Sequence, residues 1–151
     1  MANDVWNMLK TKGINAKIQI GNVDKDNATL FESNHAWVLA EISADKWLAL
    51  ETTGGYLVSF EDNPRYYRGW YFYTPKQFKK YLQLLTQYND LLSKYNDAQT
   101  QCDQLLSQYN QADNIKKGGL VFDLSRELVE CNQRLKDLRE VISKMTALLT
   151  Y

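Results

Sequence analysis

The sequence predicts an α+β fold: a small antiparallel sheet with a short N-terminal helix over residues 1–74, then a long antiparallel coiled-coil helical hairpin over 75–151. Three observations predict it. Strand-like alternation fills the first half, a seven-residue apolar repeat replaces it after Pro75, and 151 residues suffice for one cored domain plus an appendage but not for two full domains.

The first element reads as a helix, because "DVWNMLKTKG" places Val5, Trp6, Met8 and Leu9 at helical spacing and Gly13 can end it from the C′ position. In "AKIQIGNV" the alternation that puts Ile18 and Ile20 on one side indicates a strand. The polar "DKDNATLFESN" reads as a loop. Its Asp24, Asp26 and Asn27 are faintly like a calcium loop, but the glycine and distal glutamate that such a loop needs are missing.

Two further strands, "HAWVLAEI" and "WLALET", join across "SAD" as a hairpin. If Ile42 faces Lys46, facing residue numbers sum to 88, so Trp37 lies opposite Glu51 and His35 opposite Thr53. Ala36, Val38, Ala40, Ile42, Leu48 and Leu50 then form a core face, and His35, Trp37, Leu39, Trp47, Ala49 and Glu51 share the other. A slip of one residue would mix the two sets, so the apolar pattern favours a register that makes His35 and Glu51 diagonal neighbours. Farther on, Arg65, Tyr66, Tyr67 and Arg68 follow Asn-Pro and read as a loop packed by its own aromatics.

Beyond Pro75, Tyr81, Tyr88, Tyr95, Cys102 and Tyr109 recur every seven residues, with Leu84, Leu91, Ala98, Leu105 and Ala112 three places after each. Past "ADNIKKGG" a second seam runs Val121, Leu124, Leu128, Cys131, Leu135, Leu138, Ile142, Met145 and Leu149. A hairpin closing near Lys116 and Lys117 pairs the two seams at a constant sum of 233, from Ala112 with Val121 to Leu84 with Leu149. The tyrosines are thereby core residues whose hydroxyls reach the seam's edge. Cys102 faces Cys131 in this register, as a packed thiol pair or, if the backbones come close enough, a disulfide. Leu85, Leu92, Leu106, Val141 and Leu148 flank the seams and widen the apolar stripe. They predict a homodimer formed through the hairpin face and exposed sheet.

Eighteen basic and eighteen acidic residues cancel, which argues against a nucleic-acid partner. No apolar run is long enough for membrane contact by spanning, and the N-terminus lacks the pattern of a signal peptide; the compartment is not assigned. One histidine and two distant cysteines predict neither a metal site nor a cofactor.

A carboxylate beside an imidazole fixes its tautomer and stabilises its cation, as a general base for a thiol or hydroxyl requires. The string "NHAWVLAEISADKWLALETT" resembles the His-Ala-Trp hairpin of the transglutaminase-like, papain-related cysteine protease superfamily, and "NMLKTKGINAKIQIGNV" is similar to the segment after the family's nucleophile. The resemblance covers about residues 3 to 58. It implies that His35 is the base, Glu51 its orienting acid in place of the more usual aspartate, and Trp37 a shield. The family's cysteine would precede Gly13 by about fifteen residues, and no cysteine comes before Cys102. Cys102 and Cys131 are assigned to packing, while Ser33 and Thr53 lie on the strands without a strand-to-helix elbow. The expectation is a catalytically silent partial domain with a self-association hairpin. The alternatives are a cysteine-dependent amide hydrolase or acyl transferase whose nucleophile lies upstream, and a purely structural assembly module.

Overall fold

The structure, a computed structural model, describes residues 1–149. Helix α1 spans Ala2–Thr11. Gly13, at φ +74°, donates to the Lys10 carbonyl and Ile14 to that of Leu9, both at 3.0 Å. This paired closure satisfies carbonyls the helix end would otherwise orphan, and glycine adopts its left-handed turn without steric cost. The Trp6 indole N–H donates to the Ala16 carbonyl at 2.9 Å, tying α1 to the start of β1.

Five strands follow: β1 (Ala16–Gly21), β2 (His35–Ser43), β3 (Lys46–Glu51), β4 (Tyr56–Val58) and β5 (Trp70–Phe72). They form one antiparallel sheet in the order β4-β3-β2-β1-β5. The short edge strands β4 and β5 have no counterpart in the sequence reading.

The β2–β3 register pairs Val38 with Leu50, Leu39 with Ala49, Ala40 with Leu48 and Glu41 with Trp47, each summing to 88 as expected. Near the turn it differs. Ser43, rather than Ile42, pairs with Lys46, so the strand bulges and Ile42 is exposed.

The two sheet faces also divide their burial differently from the expectation of one core face. Ile18, Ile20, Val38, Ala40 and Phe72 are buried on one side, where Phe78 and Tyr81 pack against Phe72 with ring centroids 5.5 and 5.2 Å apart. The face of His35 is a second core, in which Trp37, Leu39, Ala49, Val58 and Tyr66 cluster. A 3-10 turn at Pro64–Tyr67 supplies its cover. That turn is nucleated by Asn63, whose side chain accepts from the Arg65 amide, with Pro64 at the first position.

Helix α2 (Pro75–Gln111) begins with a capping box: Thr74 and Gln77 exchange backbone-to-side-chain hydrogen bonds at 3.1 and 3.3 Å. Helix α3 (Asn114–Thr146) follows after two residues, capped by Asp113, which accepts from the Lys116 amide at 3.0 Å. The hairpin therefore turns at Ala112–Asp113, and Lys116–Gly119 are helical instead of forming the bend. The reason is the cap: Asp113 starts a helix that runs through both glycines.

The chain divides into two compact units, Met1–Tyr81 with Leu148 and Leu149, and Leu82–Ala147. The first turns of α2 thus group with the sheet, through Phe78 and Tyr81.

Within the hairpin unit the α2 seam is shielded at each expected position, from Leu84 to Ala112. The α3 seam departs from the expected positions in its N-terminal half. Leu124, Cys131, Leu135, Leu138, Ile142 and Met145 are shielded as expected, but Leu120, Glu127, Arg134 and Val141 are shielded as well, and the expected Val121 and Leu128 are not. Val121 and Leu128 are 50% and 49% exposed, whereas Val141 is buried. Long polar stems at Glu127 and Arg134 take up seam space that an apolar-only reading gives to their neighbours. Leu149 lies beyond α3, so it extends no seam; residues 150 and 151 fall outside the described residues.

Candidate functional site

His35 opens β2, Glu51 closes β3, and Tyr66 reaches the same face from the 3-10 turn. Alternation from the observed pairs puts His35, Trp37 and Leu39 on one face with Lys17, Gln19, Ala49 and Glu51. Glu51 is buried and accepts from three sides. Its Oε2 receives His35 Nε2 and the Tyr66 hydroxyl, the latter at 2.8 Å, while Oε1 receives the Thr53 amide at 2.8 Å. The Thr53 contact is made within the turn that leaves β3, so one carboxylate joins two strands, that turn and the 3-10 segment.

Trp37 is fully buried beside them. Its ring stacks on the imidazole at a centroid separation of 5.9 Å and 21° between planes, and its indole N–H donates to the Tyr66 carbonyl at 2.8 Å. Tyr66 also meets the Trp37 ring at 5.0 Å and the His35 ring edge-on at 6.2 Å. Gly21, the cross-strand partner of His35, leaves room for this stack: a Cβ there would lie 3.0 Å from the Trp37 ring and 3.2 Å from the Arg68 carbonyl.

Electrostatics follow the geometry. Burial works to raise the Glu51 carboxyl, but the Thr53 amide, the His35 imidazole and the Tyr66 hydroxyl together hold it below the ordinary glutamate value of 4.5. Burial, with the Glu51 charge and nearby Tyr56 adding to it, pushes the Tyr66 phenol well up, so it stays a donor. With the carboxylate ionised, His35 Nε2 carries the proton it shares, and Nδ1 holds the lone pair. Among the described residues Nδ1 makes no hydrogen bond, and the side chain keeps 25% of its surface exposed. Such an imidazole can accept a proton from a group brought to Nδ1.

No family model, curated protein or solved structure matches the chain. What the site can do therefore rests on its own chemistry.

The structure brings His35, Glu51 and Trp37 together as one cluster, and adds Tyr66, which the sequence reading placed in a self-packed loop. The signal for Tyr66 was weak: Asn-Pro marks a turn but not where its aromatics land. Ser33 and Thr53 have no hydrogen bond to His35; the Ser33 hydroxyl is buried without a partner among the described residues, and Thr53 contributes its amide. Cys102 and Cys131 belong to the hairpin unit and are both free thiols. Burial pushes the Cys102 thiol up, reinforced by Cys131, Glu127 and Asp103, which disfavours a nucleophilic thiolate.

The loop carboxylates are occupied by side chains. Asp26 takes the Arg65 guanidinium at 2.8 and 3.1 Å and Arg68 at 3.2 Å, while Asp24 accepts from Asn34 at 2.9 Å. Among the described residues no group of three His, Cys, Asp or Glu side chains is placed to hold a metal ion, and no helix is long and apolar enough to cross a membrane.

Proposed function

We propose that Met1–Tyr81 is a transglutaminase-like core in which the imidazole and its carboxylate persist as a structural cluster without catalysis, and that the helical hairpin serves self-association. The observation carrying this reading is the occupancy of the Glu51–His35 pair. Three donors converge on the carboxylate, yet no thiol or hydroxyl is hydrogen-bonded to Nδ1 among the described residues. The only cysteines of the sequence sit in the other unit. A base without a nucleophile positions nothing for acyl transfer. Association through a hairpin is supported by the apolar residues it leaves exposed on α3.

The test is hydrolysis of p-nitrophenyl esters and peptide amides by the chain and by His35→Ala. The reading expects the same background rate from both. Turnover that disappears in His35→Ala would reject it.

A second reading is favoured by the lone pair left on Nδ1: the cluster is the base of a cysteine-dependent amide hydrolase or acyl transferase whose thiol lies on an upstream segment. Under it, a longer product of the same reading frame, carrying a cysteine ahead of α1, would show His35-dependent turnover.

A further inference from the structure

A second feature of the His35 face has no part in the cluster. Lys17, on β1, sends its ammonium between two rings, 4.3 Å from the centroid of Trp47 and 3.9 Å from that of Tyr71. It stands at a cleft of about 300 Å³ whose lining includes Leu39, Trp47, Tyr67 and Tyr71. A partly buried lysine normally has an anionic partner. Lys17 has none: among the described residues it makes no hydrogen bond or ion pair. The nearest acid that influences it, Glu41, spends its carboxylate on the Asn15 amide at 2.8 Å and the Asp45 backbone N–H at 3.4 Å. Burial lowers the Lys17 pKa below its ordinary value, and the Glu41 charge works against that shift.

The cleft therefore supplies a cation held beside aromatic rings, and among the described residues no anion is hydrogen-bonded or ion-paired to it. We propose that it binds a small ligand bearing a carboxylate on a planar apolar body, the carboxylate meeting Lys17 and the body packing against Leu39 and Tyr67, which line the same cleft. This goes beyond the function proposed above and does not depend on it, since neither His35 nor Glu51 takes part. Gln19 lines the same cleft with its side-chain N–H₂ tied to the Arg68 carbonyl.

The probe is benzoate, with benzamide as the neutral isostere, titrated against the full chain by calorimetry and tryptophan fluorescence. Saturable benzoate binding at least about tenfold tighter than benzamide is expected, because a charge-assisted hydrogen bond is at stake. Lys17→Met should erase that preference and Lys17→Arg should keep it. Absence of saturable benzoate binding, equal binding of benzamide, or a preference that survives in Lys17→Met would overturn the proposal. If Lys17→Met does not fold, wild-type protein decides on the same terms: benzoate, and not benzamide, should protect Lys17 from trinitrobenzenesulfonate, as read by mass spectrometry.

Discussion

Glu51 sits where a carboxylate is costly, and three donors offset that cost. Tyr66→Phe removes one of them and leaves a buried oxygen short of a partner, so unfolding should become easier by about 1.5–3 kcal/mol in urea denaturation. The pH dependence has a defined sign. Because the folded Glu51 pKa lies below 4.5, its contribution is complete above that value and is lost as pH falls through the depressed one. Asp26 and Glu32 are also depressed and act in the same direction, so the difference between wild type and Glu51→Gln isolates the residue. Thermal melts from pH 7 downward should show the two proteins converging below pH 4.5. The His35–Glu51 pairing was legible because a period-two pattern with one apolar face leaves little choice of register. Tyr66 was not, because its position depends on a turn fifteen residues beyond Glu51 that local alternation does not encode.

At the scale of elements, the helical hairpin was legible as a pair of seams, and six of the expected α3 seam residues, Leu124, Cys131, Leu135, Leu138, Ile142 and Met145, are shielded. Val121 and Leu128 were misplaced because the reading followed apolar residues, while Leu120 and the aliphatic stem of Glu127 take the shielded positions beside them. Arg134 Nε is buried without a hydrogen-bond partner among the described residues. The two seams make opposite predictions. Leu128→Gln should cost little, under about 0.5 kcal/mol, as an exposed substitution. Val141→Ala should cost about 1–3 kcal/mol by opening space in a buried layer. Chemical denaturation of both variants checks this, and the reverse order would restore the original seam. The β2 bulge was missed for a related reason: Ile42 fits an alternating core pattern, but the tight Ala44–Asp45 turn, with Asp45 at φ +59°, shifts the final pair.

For the whole molecule the question is what covers the apolar residues left in solvent. Ile115, Phe122 and Val129 recur every seven residues along α3 at 92, 72 and 69% exposure, with Val121 and Leu128 beside them. These residues are the surface on which the proposed self-association would rest. The expected outcome is a dimer in multi-angle light scattering that Phe122→Lys with Val129→Lys converts to monomer without loss of helix signal. A wild-type monomer at high concentration would count against the self-association part of the account. The central claim, however, is that Glu51 fixes His35 with its proton on Nε2 and its lone pair on Nδ1. His35 is the only histidine in the sequence, so a long-range ¹H–¹⁵N correlation spectrum of the imidazole reads it without ambiguity. The account predicts the Nε2–H tautomer in the neutral ring and its loss or averaging in Glu51→Gln. A proton on Nδ1, or a spectrum that Glu51→Gln leaves unchanged, would contradict it.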